Sequence, residues 1–304
     1  MLPLNWTAIE RETQIAIRSA TPIGEGWTAV AYRVNDELVF KFPKRNKTWE
    51  ELDREIAFLK YARPSLPLTV AEHLQRVRDS DGAPHGYVVH RNIPGNAVEP
   101  RSLSPRARSA VARVLAGFLH ALHEISPSAL SSILPHEDEY RTVQQYQRDA
   151  EEHIAPHLSR PERRRLSDLI ARHLRDPLNF AGQARMLHAD LSADHVLLVD
   201  ELVTGILDWG DVCFGDPDYD FGCLYDDFGE DFVREMAAHY GHEDPDRLVR
   251  KARYFSIADQ IGTIVYGSGE ALPGDVEESW RRLHALLADD ANRAPANVTG
   301  IVTS

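Results

Sequence analysis

Apolar positions along the chain change period several times, marking out short strands first and long helices later. From Thr21 to Phe42 (TPIGEGWTAVAYRVNDELVFKF) the pattern alternates and reads as one or two β-hairpins. Asn35-Asp36 supplies the turn between Ala29–Val34 and Leu38–Phe42. On the second strand Leu38, Phe40 and Phe42 share one face, and Val39 and Lys41 the other. Lys41 is thereby a lone cation in an apolar strand, which is uncommon without a partner. Gly24 and Gly26 precede it in a glycine-poor G-x-G, a sparse version of a phosphate-covering loop that, taken alone, better suits a plain hairpin turn; the Lys on the following strand makes the pair more specific.

The period then lengthens. In KTWEELDREIAFLKYARP, Thr48 followed by Glu51 has the spacing of a capping box, and Trp49, Leu52, Ile56 and Leu59 form a helical stripe that Pro64 ends. Glu51 is assigned to the cap. Glu55 lies between Leu52 and Leu59 on the helical net and faces inward, which makes it the candidate partner of Lys41. Residues 68–92 return to strand character, in two segments parted by Asp79-Ser80-Asp81-Gly82, and the second runs into the break Ile93-Pro94-Gly95. Beyond Ser104-Pro105, a helix start, Val111, Val114, Leu115, Phe118, Leu119 and Leu122 recur at helical spacing up to Ser126-Pro127. His120 and His123 on this helix are expected to pack or face solvent. Residues 137–176 predict two polar amphipathic helices broken near Pro156 to Pro161, with Arg160–Arg165 as a solvated helix start. Helices are also expected at 229–240, 246–267 and 275–288, the last ending around Asp289-Asp290, with a small, polar, frayed tail from Asn292. No internal repeat is present.

Between the helical regions lies the stretch LHADLSADHVLLVDELVTGILDWGDVCFGDPDYD, Leu187 to Asp220. Val196–Val199 and Val203–Leu207 are apolar runs joined by an acidic turn, a hairpin. His188, Asp190 and His195 precede its first strand and Asp208 follows its second, so the hairpin gathers several metal- and proton-binding groups at one end of a rigid element.

Bulk properties narrow the functional classes. The chain has 304 residues with 34 basic and 47 acidic side chains, a formal charge of −13, which argues against a nucleic-acid partner. Such a field suits a polycationic ligand, or is simply a soluble acidic surface. No window approaches a membrane span. The N-terminus lacks a basic region followed by an apolar one, so a cytoplasmic protein is expected. Cys213 and Cys223 match no metal or redox spacing and are expected as reduced thiols.

His188-Ala189-Asp190, followed by His195 and then by Ile206-Leu207-Asp208-Trp209-Gly210-Asp211, resembles the catalytic and metal loops of the protein-kinase-like antibiotic phosphotransferases, whose pattern is H-G-D-x-x-x-x-N and then I-D-F/W. Gly215-Asp216-Pro217-Asp218-Tyr219-Asp220-Phe221 resembles their next segment. A histidine in place of the metal-binding asparagine, together with G-D-P-D-Y-D-F, makes the chain most similar to the aminoglycoside 2''-phosphotransferases. Macrolide phosphotransferases share that histidine. The resemblance implies an α+β bilobal protein-kinase-like fold, with an N-terminal nucleotide-binding lobe over residues 1–90, a hinge at 91–96 and a mainly helical catalytic and acceptor-binding lobe over 97–304.

It also implies roles. Asp190 would orient or accept the proton of an attacking hydroxyl. Asp208 and His195 would ligate magnesium, two ions in the parent pattern, although a neutral imidazole is a poorer magnesium ligand than an amide oxygen. Gly24, Gly26, Lys41 and Glu55 would handle the phosphates of ATP or GTP, and the backbone at Val89, His90 and Asn92 the nucleobase. His188 and Asp220 would support the loop. Asp194, Asp211, Asp226, Asp227, Glu230 and Asp231 either line a pocket for a cationic acceptor or form a loop and an acidic helix N-terminus. The expected enzyme is a monomer acting on an aminoglycoside as antibiotic resistance, with neither nucleic acid nor membrane as partner. A macrolide phosphotransferase, another small-molecule kinase and a nucleotide-binding pseudokinase are the alternatives.

Overall fold

The structure, a computed structural model, describes residues 2–126, 130–267 and 274–293. In chain order the elements are α1 (Trp6–Thr13), β1 (Ala20–Glu25), β2 (Ala29–Val34), β3 (Leu38–Pro43), α2 (Trp49–Ala62), β4 (His73–Val77), β5 (Tyr87–Arg91), β6 (Asn96–Ala97) and α3 (Pro105–His123). They continue with α4 (Glu139–Asp149), α5 (Arg160–Arg175), β7 (Arg185–Leu187), β8 (Val196–Val199), β9 (Leu202–Ile206), β10 (Cys213–Gly215), α6 (Asp220–Phe228), α7 (Glu230–Tyr240), α8 (Pro245–Tyr266) and α9 (Asp275–Arg293). Contacts group them into two compact units, Met1–Asp138 with Gly182–Arg253 and Glu139–Ala181 with Tyr254–Ser304. The first carries every strand among the described residues and the second is helical, so the chain is α+β. The expected hinge at residues 91–96 falls inside the first unit, between β5 and β6.

The first unit is organised by an antiparallel sheet of order β1-β2-β3-β5-β4. Asn35 and Asp36 both take left-handed φ, 53° and 61°, as a tight hairpin connection demands of residues that tolerate it. One face of the sheet presents Phe40, Phe42, Tyr87 and Val89 to a core closed by Ile9 of α1. Helix α1 has its own signal, an Asn5 N-cap whose side chain accepts from the Ala8 N–H at 3.2 Å. On the other side of the sheet Val88 clusters with Trp49 and Leu52 of α2. Lys41 is the register partner of Val88, so it belongs to the α2-facing side.

Helix α2 does not begin with a capping box. Thr48 ends a 3-10 turn, Asn46–Thr48, and has helical dihedrals (φ −61°, ψ −18°) in place of the extended ones a cap needs. Its Oγ1 lies 3.5 Å from the Thr28 carbonyl, and Glu51 is released from the cap to a half-buried position.

A second sheet, β6-β8-β9, carries the expected hairpin, and β10 pairs with β7 in a separate two-stranded sheet. The Ile93-Pro94-Gly95 break clamps onto that hairpin, because Thr204 Oγ1 donates to the Pro94 carbonyl at 2.6 Å. The chains approach so closely that a Cβ on Gly95 would lie 2.9 Å from the Leu198 carbonyl oxygen, and Gly95 has φ +134°. Behind the hairpin, Val111, Leu115, Phe118, Leu119 and Leu122 of α3 are fully buried.

In the second unit α5 starts with a complete Ser159/Glu162 capping box. The His173 ring of α5 stacks on Tyr254 at 3.8 Å. Helix α9 runs to Arg293, past the expected end at Asp289-Asp290, and the rest of the expected tail, 294–304, lies outside the described residues.

Gly95→Ala is expected to destabilise the chain by about 1–3 kcal/mol, since alanine adds both positive-φ strain and a backbone clash. Urea unfolding checks it, with the midpoint lowered and the slope unchanged.

Candidate active site

Lys41 projects from β3 to Glu55 on α2, Nζ to Oε2 at 3.3 Å, and to Asp208 Oδ1 at 3.0 Å. Glu55 is buried because it sits one turn from Leu52 and Leu59 on the stripe that meets the sheet. Burial works against the Lys41 charge, but the two carboxylates overcome it and push its pKa above the ordinary lysine value. For Glu55, burial favours the neutral acid; the Lys41 charge, then the His73 hydrogen bond, reverse this and bring it down to about 2. Lys41 is also the main cause holding Asp208 well below the usual carboxylate range.

The loop before β8 is fixed from beneath. Asp220, fully buried at the start of α6, accepts the His188 N–H (3.0 Å) and the Ala189 N–H (2.8 Å), and its Oδ2 lies 3.1 Å from His123 Nε2. His123 in turn reaches the Tyr240 hydroxyl at 2.9 Å. Ala189 occupies the left-handed region at φ 64°, a conformation that glycine adopts without cost. His188 Nε2 meets the Leu207 carbonyl at 2.9 Å, and its Nδ1 accepts the Asp190 N–H at 3.3 Å. A carbonyl can only accept, so His188 is the neutral Nε2–H tautomer; burial accordingly pushes its pKa down to about 4. Its ring packs 4.4 Å from that of Trp209, which is buried against Phe58 of α2 and Phe118 of α3. One histidine thus ties the Asp190 loop to the residue preceding Asp208.

His195 lies between the two acids. Its Nδ1 is 2.7 Å from the Asp190 carbonyl and 3.5 Å from Asp190 Oδ2; its Nε2 is 3.9 Å from Asp208 Oδ2. Burial disfavours the imidazolium, but the charges of Asp190 and Asp208 outweigh it and raise the pKa. When His195 is neutral, its Nδ1–H donates to the Asp190 carbonyl and its Nε2 lone pair faces the Asp208 carboxylate. No group of three or more His, Cys, Asp or Glu able to hold a metal exists among the described residues. Two protein donors beside an open carboxylate fit a hard cation such as magnesium, which keeps several waters and takes its other ligands from phosphate.

The structure therefore brings together Lys41, Glu55, Asp190, His195 and Asp208. Gly24 lies near the end of β1, opposite Ala31, and Gly26 opens the β1–β2 turn, closed by its N–H donating to the Ala29 carbonyl at 2.9 Å; a Cβ on Gly24 would meet nothing. Val89 and His90 are buried in the sheet, and the Asn92 N–H donates to the Glu37 carbonyl at 2.8 Å.

The six further acids separate. Asp194 and Asp231 are exposed. Asp211 is exposed at its surface, yet crowding by neighbouring protein and then the Asp208 charge raise its pKa, and half-buried Glu51 is raised by burial and by Asp211. Asp227 is committed to the loop, its Oδ2 accepting the Ala193 N–H at 2.7 Å, and Glu230 pairs with Arg234 at 3.1 Å. Asp226 and Asp227 lie in the last turn of α6 and not in a loop; only Glu230 and Asp231 open a helix, α7.

Sequence reasoning missed His73, His123 and Lys251. Buried Lys251 bonds to Asp216 and lies 3.2 Å from Asp218, whose other oxygen is 3.2 Å from His242 Nε2. Asp216 and Asp218 of the Gly215–Phe221 segment are thus held by Lys251 of α8 and by His242 just before it.

Compared with known proteins, the model of the phosphotransferase enzyme family, APH, matches residues 19–253. A wild-type aminoglycoside 2'-phosphotransferase-IIIa solved with GDP is similar at a TM-score of 0.87 and 27% identity, over 94% of this chain and 98% of that one. APH(2")-IIia solved with GDP and kanamycin gives 0.86 and 28%, over 94% and 98%. The macrolide 2'-phosphotransferase MphH from Brachybacterium faecium, an apoenzyme, gives 0.68 at 18%, over 90% and 96%, a likeness of fold alone. The architecture is the kinase-like one, β-rich at the N-terminal side and helical beyond.

Removing the cation tests the Lys41 cluster. The folded pKa of Glu55, about 2, lies below its ordinary value of 4.5, so the stability this gives is complete above pH 4.5 and lost as pH falls toward 2. In Lys41→Met the buried carboxylate loses its main counter-charge and its pKa rises, so proton uptake relieves the penalty. The expected cost is about 2–4 kcal/mol at pH 7, discounted because Asp208 is 44% exposed, and clearly less at pH 4. Urea titrations of both proteins at the two pH values measure it.

Proposed function

The chain belongs to the phosphotransferase enzyme family, and from that premise we propose that it transfers the terminal phosphoryl group of ATP or GTP to a hydroxyl of an aminoglycoside. The observation that carries the reading is the convergence of the Lys41–Glu55 pair, Asp208, His195 and the Asp190 carboxylate on one loop-and-hairpin end. Phosphoryl transfer is positioning plus neutralisation of phosphate charge, and this set supplies both. Lys41, kept charged by its two carboxylates, meets the phosphates, and the Gly24–Gly26 turn covers them. Asp208 and His195 Nε2 would hold magnesium, as two ions in the family's pattern, and the metal when bound would neutralise the phosphates. Asp190 orients the acceptor hydroxyl and takes up its proton.

On this reading residues 1–90 handle the nucleotide, 91–96 are a hinge, and 97–304 carry catalysis and acceptor binding. The nucleobase lies against Val89, His90 and Asn92; because the Asn92 N–H already serves Glu37, the base is read through other groups. Asp194, Asp211, Asp226, Asp227, Glu230 and Asp231 are the carboxylates proposed to meet acceptor ammonium groups, Asp227 while it accepts the Ala193 N–H and Glu230 while it pairs with Arg234. Kanamycin in the APH(2")-IIia structure supports the acceptor class. The enzyme is proposed to act as a cytoplasmic monomer that inactivates an antibiotic. Among the described residues no helix is long and apolar enough to cross a membrane.

The test is a coupled transfer assay with ATP and GTP against aminoglycosides and macrolides, with Asp190→Ala in parallel. Transfer to aminoglycosides is expected, with kcat falling about 10²–10⁴-fold in the variant while nucleotide still binds. Transfer to macrolides alone would move the acceptor class. Nucleotide binding without transfer to any acceptor would leave a binding protein in place of an enzyme.

A further inference from the structure

Glu55 has two buried carboxylate oxygens and two neighbours for them. Oε2 faces Lys41 at 3.3 Å, and Oε1 lies 3.3 Å from Nε2 of His73. His73 opens β4 at the sheet edge, with its side chain only 9% exposed. Its register partner is His90 of β5, whose ring meets it edge-on at 5.7 Å, and the ladder shifts directly after it, between His73 and Gln75. A bulge of this kind re-aims a side chain at the cost of regular pairing. The charged and titratable groups acting on this corner are Glu55 from α2, His90 from β5 and Lys41 from β3.

We propose that His73 is a positioning residue for nucleotide binding: its buried Nε2 approaches Glu55 Oε1 at 3.3 Å, off the geometry of a full hydrogen bond, and this polar contact keeps Oε2 aimed at Lys41. The inference rests on the reading that Lys41 meets nucleotide phosphate. A buried carboxylate with one oxygen lacking a donor is costly. Without His73, Glu55 relieves that cost by turning Oε1 toward Lys41 or by taking up a proton, and either movement weakens the pair that sets the Lys41 ammonium. Lys41 is then drawn onto Asp208, its remaining carboxylate at 3.0 Å, and away from the phosphates. His73 itself touches neither phosphate nor acceptor on this assignment.

The experiment is calorimetric binding of ATP and of GTP, with magnesium, to the full chain and to His73→Leu and His73→Gln. Glutamine places an amide nitrogen where histidine has Nε2; leucine fills the space without a donor. Leucine is expected to weaken nucleotide binding roughly tenfold, about the worth of one hydrogen bond to a charged group, and glutamine to restore it to within roughly threefold. Should the leucine protein not fold, His73→Asn replaces it, since its shorter amide falls short of Glu55. Equal affinity in wild type and His73→Leu, or equal loss in the glutamine and leucine proteins at matched urea midpoints, would overturn the proposal while leaving the nucleotide site intact. A wild-type chain that binds neither nucleotide would overturn the Lys41 reading and this proposal together.

Discussion

The candidate site depends first on one buried carboxylate beneath its loop. Asp220 is fully buried at the head of α6 and accepts two successive backbone N–H groups, from His188 and Ala189, while His123 approaches one of its oxygens. Consecutive amides point at one acceptor only if the backbone curls, and Ala189 curls by taking left-handed φ. For an L-residue with a Cβ that conformation costs about 1–2 kcal/mol, a cost which two charge-assisted hydrogen bonds in a buried setting can offset. The family pattern H-G-D places glycine where this chain has Ala189. The brace explains how alanine is tolerated there, and it sets the direction in which Asp190 leaves the loop.

A second constraint comes from the neutral histidine at 188. Its two nitrogens are spent on the Leu207 carbonyl and the Asp190 N–H, so the loop and the strand end that carries Asp208 are joined through one ring. Protonating that ring would break the second bond, because Nδ1 must accept. Burial, which holds the pKa near 4, is therefore a structural requirement as well as a consequence of packing beside Trp209. Aromatic packing from α2 and α3 onto Trp209 extends the same constraint into the core.

Much of this was legible in the sequence, for local reasons. Alternation placed Lys41 on the face opposite Phe40 and Phe42, and helical spacing placed Glu55 beside Leu52; their meeting needed only that α2 pack on that face of the sheet. The Val196–Ile206 hairpin announced itself by its two apolar runs. What stayed hidden depended on distant register or on competing local geometry. His73 reaches Glu55 through a bulge, and His123, Lys251 and Asp227 act across helix packing that no short window encodes. Thr48 and Glu51 have capping-box spacing, but the preceding 3-10 turn gives Thr48 helical dihedrals and so removes the cap. Pattern gives faces; it does not give the partner that arrives from elsewhere.

His195 shows why the proposed base and the proposed metal ligands are not independent. Its Nδ1–H, when the ring is neutral, is anchored on the backbone carbonyl of Asp190, so the peptide that presents the Asp190 carboxylate also sets the imidazole plane. That bond leaves Nε2 as the lone-pair nitrogen, directed at Asp208, and makes it more basic, as a hydrogen bond to the far nitrogen of a metal-binding imidazole does. Asparagine at this position could make the same bond with its amide N–H and present its oxygen, so what histidine changes is the donor atom and its capacity to take up a proton. With histidine, a shift of the Asp190 peptide rotates the candidate ligand as well, and charge on the ring removes the lone pair altogether. On the proposed roles, placement of the acceptor proton and placement of the cation thus become one conformational problem, braced in this chain by Asp220 beneath the loop.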